Sequence, residues 1–281
     1  MESVIFEVDL HCHTTASDGE LTPSELVHCA AGLGLKGVGI TDHDTIQGWK
    51  EAEEAAKVYQ IKLVKGIELN TDWNGKEVHI LGYELDDSSD YLRHRLQNLR
   101  DARKQRMLEI IERFRRLGIT IEVQEVQKYA KGESMGRPHI AQALMEMGYV
   151  TSIKEAFERY IGRGAPAYVP RYKLTPEEAI ELIRESHGVA VLAHPGIYRL
   201  EEGIRPWIDA GLQGIEVAHS EHNQEDEQRY RALAGDYHLI MTGGSDFHGE
   251  KHKPGVKLGH WGVSEDVIQQ ILTLAKGNTL K

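Results

Sequence analysis

Short aliphatic runs that each deliver a histidine or a carboxylate near their C-terminal end constrain this chain more than any other feature. Gly37-Val38-Gly39-Ile40 runs into Thr41-Asp42-His43-Asp44, and Ile61-Lys62-Leu63-Val64 leads to Glu68. Val189-Ala190-Val191-Leu192 leads to His194, and Leu239-Ile240-Met241 leads through two glycines to Asp246 and His248. At the start, Val4-Ile5-Phe6-Glu7-Val8 precedes Asp9-Leu10-His11-Cys12-His13, with Asp18 beyond it. Runs of this length and composition read as buried strands. In parallel β/α architectures the C-terminal edge of the strands is where sites assemble. His11 and His13, two apart, project from one side of the first strand's end. His79, inside Val78-His79-Ile80-Leu81, is the one donor placed within a strand.

Helix signals alternate with these strands. Thr22-Pro23-Ser24-Glu25 and Thr175-Pro176-Glu177-Glu178 each give a threonine N-cap, a proline at the first helical position and a glutamate placed to close a capping box. Strand and helix therefore alternate from Val4 to Ile67 and again from Thr175 onward, which predicts βαβ units and a parallel sheet. The rhythm breaks between them. Leu92, Leu96, Leu99, Ile110, Phe114 and Leu117 recur at helical spacing ahead of Gly118, predicting one long amphipathic helix. Shorter helices follow near Val123 to Tyr129, Pro138 to Met147 and Ile153 to Ile161, so residues 88–168 read as a helical insertion between two parts, 1–87 and 169–281.

The 281 residues carry a formal net charge of −11, unevenly spread. Tyr91 to Arg137 holds twelve Lys or Arg against six Asp or Glu, a basic arm on an acidic body. Non-specific nucleic-acid binding by the whole surface is thereby excluded. No aliphatic run approaches a membrane span and no signal-like leader is visible, so the expectation is a cytoplasmic protein without membrane attachment. Cys12 reads as a small core residue, and a structural disulfide with Cys29 is not expected.

Six histidines (His11, His13, His43, His79, His194, His248) and three carboxylates (Asp18, Glu68, Asp246) are too many donors for one ion. Imidazole mixed with carboxylate suits manganese, with iron or zinc as alternatives, better than calcium or magnesium. Two to three divalent ions are implied, with Glu68 as a natural bridge. Asp44 reads as the cap of a helix from Thr45; Asp42 is open between capping and orienting His43.

The order D-x-H-x-H, S-D-G, T-D-H-D, G-I-E, V-H-I-L-G-Y, A-H-P-G and S-D-x-H resembles the PHP (polymerase and histidinol phosphatase) domain metallo-phosphoesterases over nearly the whole length. The S-D-G start and the G-R-P-H-I-A string resemble the branch acting on nucleotides and RNA 5′ ends. The resemblance implies a distorted, TIM-like barrel of seven strands with an inserted α-helical subdomain. It gives His11, His13, Glu68 and Asp246 to one ion, Asp18, His43 and His248 to a second, and His79 and His194, through Glu68, to a third. Glu68, as the bridge, and Asp246 become the catalytic residues. The implied enzyme is a hydrolase of phosphoric esters: a 3′-phosphatase of 3′,5′-bisphosphonucleotides, a 5′-3′ exoribonuclease, or both, working by metal-activated hydroxide attack. Its partner is a nucleotide or short RNA 5′ end, and no obligate protein partner is inferred.

Arg137 and His139 read either as a clamp for a phosphate or as a solvated helix start. His219 and His222 follow another strand and read as substrate-binding residues or a proton donor, although relatives often carry Tyr and Pro where this chain has Ala218 and Ser220. The rivals are histidinol-phosphate phosphatase, which shares the ligand set but has no need of the basic insertion, and a non-catalytic metal-binding module.

Overall fold

The computed structural model describes residues 5–129, 136–170, 172–198 and 204–279. Seven strands form one sheet in sequence order: β1 (Val8–Cys12), β2 (Gly37–Ile40), β3 (Lys62–Trp73), β4 (Lys76–Tyr83), β5 (Val189–Leu192), β6 (Gly214–His219) and β7 (Ile240–Gly244). β1 to β3 and β5 to β7 pair in parallel, whereas β4 is antiparallel to both neighbours. The expected parallel rhythm thus fails at one strand. A tight turn at Asn74 and Gly75, both with positive φ, folds β4 directly back on β3.

The sheet nearly closes into a barrel ringed by helices. Asp246 N donates to His11 O at 2.8 Å and His13 N to Phe247 O at 2.9 Å, joining the end of β1 to the segment after β7. The two glycines before Ser245 have a packing reason. A Cβ on Gly244 would stand 2.3 Å from the Cβ of His11, and one on Gly243 would stand 2.8 Å from that of Ala218. No side chain fits that seam.

Within the barrel unit the helices are α1 (Pro23–Gly32), α2 (Trp49–Tyr59), the start of α3 (Asp90–Arg116), and then, after the second unit, five more described below. The second unit, Leu96–Tyr172, contains the rest of α3 with α4 (Val123–Gln127), α5 (Arg137–Glu146) and α6 (Ile153–Ala156), which widens into a π-helical turn over Phe157–Ile161. It has its own core, in which Phe114, Ile140 and Leu144 are fully buried. Each such side chain contributes roughly 1.5–3 kcal/mol. Arg106 and Arg113 of α3 are spent inside this unit, donating to the carbonyls of Val169 and Tyr168. Part of the arm's basic charge therefore pins a return segment rather than facing solvent.

The chain then resumes the barrel unit with α7 (Pro176–Glu185), α8 (Pro195–Tyr198), α9 (Ile204–Ala210), α10 (Gln224–Tyr237) and α11 (Asp266–Thr279). The capping boxes read from sequence at Thr22 and Thr175 are both formed. Val267, Ile268 and Ile271 of α11 pack with Val8, Leu10 and Val191 of the strands.

Two strands differ from the sequence reading in ways that bear on the site. β1 begins at Val8 rather than Val4, which lies outside the described residues, and Ile5 to Glu7 precede the strand. His11 is therefore inside β1, and His13 one residue beyond. β3 runs to Trp73, so Glu68 lies within the strand instead of past it. The hairpin with β4 is the cause: eight register pairs, from Gly66 with Tyr83 to Trp73 with Lys76, hold β3 extended. Among the described residues no helix is long and apolar enough to cross a membrane. Cys12 is buried and Cys29 exposed, both free thiols.

Candidate metal centre

Alternation along β1 sends Val8 and Leu10 to one face and Asp9 and His11 to the other, and His13 follows the strand's end. In the β3–β4 hairpin, Asn70 stands opposite His79, so Glu68, Asn70 and His79 share one face. His43 follows β2, His194 follows β5, and Asp246 and His248 follow β7. Asp18 sits on the loop after β1. Asp42 orders that loop, accepting from Thr14 N, Thr14 Oγ1 and Ser17 Oγ, each at 2.7 Å. This answers the question the sequence left open: Asp42 braces the Asp18 loop rather than His43.

The structure brings all nine expected donors together. Glu68, 1% exposed, divides its two oxygens. Oε2 faces His11 Nε2 at 3.4 Å, His13 Nε2 at 3.1 Å and His43 Nδ1 at 3.1 Å. Oε1 faces His79 Nδ1 at 2.7 Å and His194 Nε2 at 2.9 Å. Oδ1 of Asp246 lies 3.5 Å from His11 Nε2, 3.2 Å from His13 Nε2 and 3.4 Å from His248 Nδ1. Asp18 completes the rim, 3.4 Å from His248 Nε2 and 3.7 Å from His13 Nδ1.

These spacings fit divalent ions. Two donors bound to one ion at about 2.1 Å lie about 3.0 to 3.4 Å apart at octahedral to tetrahedral angles. His11, His13, Glu68 and Asp246 form one group whose donor atoms all lie within 4.8 Å of one another, and His13, Asp18, His43 and His248 form another. The buried nitrogens His11 Nε2, His13 Nδ1, His13 Nε2 and His194 Nδ1 have no hydrogen-bond partner among the described residues. Unpartnered ring nitrogens such as His11 Nε2 and His13 Nε2, beside Glu68 and Asp246, are what an ion would satisfy.

The electrostatics follow. Burial by itself would raise the pKa of Glu68, but the imidazoles of His43, His79 and His11 outweigh it and hold the carboxyl well below its ordinary range. Burial lowers His43 and His194 to about 4, leaving both as neutral donors at physiological pH. Two metal-facing residues also sit at unusual backbone angles, His194 at φ 28° and Asp246 at φ 56°. Each such conformation costs on the order of 1–3 kcal/mol, and strain of this kind gathers at functional sites.

Sequence reasoning missed the residues that orient these donors. Glu216, fully buried on β6, lies 3.0 Å from His11 Nδ1 and accepts from His194 N at 2.8 Å. A carboxylate only accepts, so Nδ1 carries a proton, and Nε2 is the nitrogen that would ligate an ion beside Glu68 and Asp246. Its one sequence signal is a charge inside an apolar strand, Ile215-Glu216-Val217. Glu77 does the same for His79, contacting Nε2 at 3.1 Å while paired with Lys173. Asp44 does not cap a helix as expected. The chain does not turn helical until Trp49, and Asp44, at φ 53°, accepts from Asn70 N and Nδ2 at 3.1 and 3.0 Å. Asp9, absent from the expected ligands, accepts four hydrogen bonds, none of them from a donor side chain of the cluster.

Glu216→Gln should therefore lower metal affinity roughly ten- to a hundredfold without unfolding the barrel. Competition against a chelating dye measures this, and an unchanged affinity would refute the orienting role. Burial pushes the Glu216 carboxyl up, but His11 and His219 draw it down to about 2 from an ordinary 4.5. With its folded pKa depressed, its contribution is complete above pH 4.5 and lost as pH falls towards 2.

The remaining expected residues divide. His222 is locked by backbone on both sides: Nδ1 donates to Val217 O at 2.7 Å and Nε2 accepts from Gly196 N at 3.0 Å. Neither nitrogen is left for a substrate, so His222 is a brace between the loops after β5 and β6. His219 lies in the cluster, 3.6 Å from Asp246 Oδ2. In the helical unit the Arg137 guanidinium packs against the rings of Phe157 and Tyr168 and donates to Ile161 O. Nδ1 of His139 accepts from Gly136 N at 3.0 Å, closing the start of α5.

Comparison with known proteins points the same way. The model of the PHP domain matches residues 9–257. The 5′-3′ exoribonuclease Rnm of Escherichia coli K12 is 36% identical over 258 residues, spanning 89% of this chain and 87% of the relative. The 3′,5′-nucleoside bisphosphate phosphatase of Chromobacterium violaceum is 33% identical over 254 residues, spanning 86% and 87%. A crystal structure from Bifidobacterium adolescentis, whose assignment as a metal-dependent phosphoesterase is itself an inference, superposes with a TM-score of 0.81 at 34% identity, covering 97% of this chain and 98% of that one.

Proposed function

Because the chain belongs to the PHP domain family and is a hydrolase of phosphoric esters, we propose that it removes the 3′-phosphate from 3′,5′-bisphosphonucleotides, acts on RNA 5′ ends, or does both. The two relatives with those activities support this substrate class. The observation that carries the chemistry is the division of Glu68 between two sets of imidazoles. A carboxylate so placed can bridge two ions, and we assign two to three divalent ions to the site, manganese before iron or zinc on the donor chemistry. His11, His13, Glu68 and Asp246 would hold the first, Asp18, His43 and His248 the second, and His79 and His194 with Glu68 the third. Bound there, divalent ions supply a nucleophile at neutral pH and neutralise charge on the phosphoryl oxygens. Glu68 and Asp246 set the ion positions, Glu216 fixes His11, and the Asp42-braced loop carries Asp18. In the same reading Arg137 and His139 bind the phosphate that is not hydrolysed.

The test is a substrate panel. Chelated protein reconstituted with manganese should hydrolyse 3′,5′-bisphosphoadenosine in preference to AMP and histidinol phosphate, and calcium should restore little. Arg137→Ala should lower kcat/KM on the bisphosphate roughly tenfold to a hundredfold, the worth of one charge-assisted contact, while barely changing a small aryl phosphate. Preference for histidinol phosphate would overturn the substrate assignment. Equal losses on both substrates would assign Arg137 to packing against Phe157 and Tyr168 alone.

A further inference from the structure

His219 ends β6 with its ring wholly buried beside the cluster, its centroid 5.1 Å from that of His194. Its Nδ1 accepts the amide of Glu221 at 3.0 Å. An amide nitrogen only donates, so Nδ1 carries a lone pair and the proton of the neutral ring sits on Nε2. An Nε2–H cannot ligate an ion. His219 therefore stands apart from the ligands, although it shares a tight donor group with His11 and Glu216.

That N–H has no hydrogen-bond partner among the described residues. Oδ2 of Asp246, the carboxylate oxygen it faces, is 3.6 Å away and beyond hydrogen-bond reach. Oδ2 is taken instead by Lys253 Nζ at 2.7 Å, while Oδ1 faces His11, His13 and His248. A buried donor without an acceptor is destabilising and calls for a ligand that brings one. Beside a cluster of metal donors in a phosphoesterase, the fitting acceptor is a phosphoryl oxygen.

We infer that His219 Nε2–H donates to a phosphoryl oxygen of the substrate, and that Lys253 is a positioning residue that occupies Asp246 Oδ2 and so keeps that N–H free. This deepens the phosphoester reading above and rests on it. Lys253, half-buried, leaves Asp246 only one oxygen for the metal side and supplies the positive charge that lets a phosphate approach this carboxylate.

Inorganic phosphate titrated calorimetrically into manganese-loaded protein tests the assignment without turnover, with manganese content read by elemental analysis. His219→Ala should weaken phosphate binding roughly tenfold to a hundredfold at unchanged manganese content. His219→Gln, whose side-chain amide can replace the Nε2–H, should recover part of the loss. Lys253→Met should also weaken binding, because Oδ2 then captures the His219 N–H. Adding His219→Ala to Lys253→Met should cost little more, since the two act through one contact. Wild-type phosphate affinity in His219→Ala, or loss of manganese from it, would overturn the donor role. Additive losses would overturn the role of Lys253. If the wild type bound phosphate but hydrolysed no ester, the phosphoester reading would fail while the donor assignment was still decided.

Discussion

Glu68→Gln is expected to release at least one equivalent of bound metal and to lower kcat/KM about a thousandfold, equivalent to about 4 kcal/mol of lost transition-state stabilisation. Five imidazoles face this side chain, three on Oε2 and two on Oε1. Glutamine keeps one carbonyl acceptor but turns an amide N–H₂ towards nitrogens that need an anion. It also removes the charge that offsets neighbouring imidazolium or metal. The folded-state carboxyl titrates below its ordinary 4.5, so its ionised form persists over the working range. The stability it contributes is complete above pH 4.5 and lost only in stronger acid. Because the replacement is isosteric and the strand is held by eight backbone register pairs, far-UV circular dichroism should not change. A variant with full metal content and full turnover would show that Glu68 does not bridge.

The parts of this fold that were readable in advance are those in which local pattern and tertiary role agree. β2 and β5 coincide with the aliphatic runs Gly37–Ile40 and Val189–Leu192. α3 stops at Arg116 ahead of Gly118, whose φ of 77° closes the helix as its sequence position suggested. The errors fall where function interrupts the pattern. Val8 and Leu10 do alternate with Asp9 and His11, but two ionisable side chains in a five-residue, fully buried strand look like a loop. The run from Val4 to Val8 is more apolar and carries the stronger strand signal. β3 outruns its aliphatic start for the same reason, since Glu68 and Asn70 occupy its site-facing positions.

The donors themselves stood out because histidines recurring at strand ends are rare, and their order resembles one family. Their supporting partners carried no such mark. Glu77, Glu216 and Lys253 are common residue types whose importance comes from what the fold places opposite them across sequence separations a motif cannot encode. Glu216 touches His11 from 205 residues away. The basic arm misled in the other direction, because formal charge does not show that Arg106 and Arg113 are bound to main-chain carbonyls.

Asp9 shows how far a motif can mislead about a residue inside it. It opens the D-x-H-x-H string, yet its carboxylate faces the barrel seam instead of the metal donors. Oδ1 accepts from His11 N at 3.3 Å and Ser245 N at 2.9 Å; Oδ2 accepts from Ser245 Oγ at 2.6 Å and Gly259 N at 2.9 Å. It is fully buried, and burial raises its pKa against the pull of those four bonds. Asp9→Ala removes the acceptor and strands three backbone N–H groups where water does not reach, a loss on the order of 3–5 kcal/mol. Asp9→Asn keeps the shape, and the Ser245 hydroxyl can turn to accept. Its new N–H₂ nevertheless meets the Gly259 N–H donor to donor, so we expect a smaller loss of about 1–3 kcal/mol. Urea unfolding of chelated protein should rank wild type, Asn and Ala in that order. Chelation separates seam stability from metal stabilisation. Because the seam positions Asp246 through Ser245, manganese affinity should fall in the same order. If Asp9→Ala unfolded like the wild type but lost its metal, Asp9 would be a ligand after all and the seam would owe its closure to backbone bonds alone.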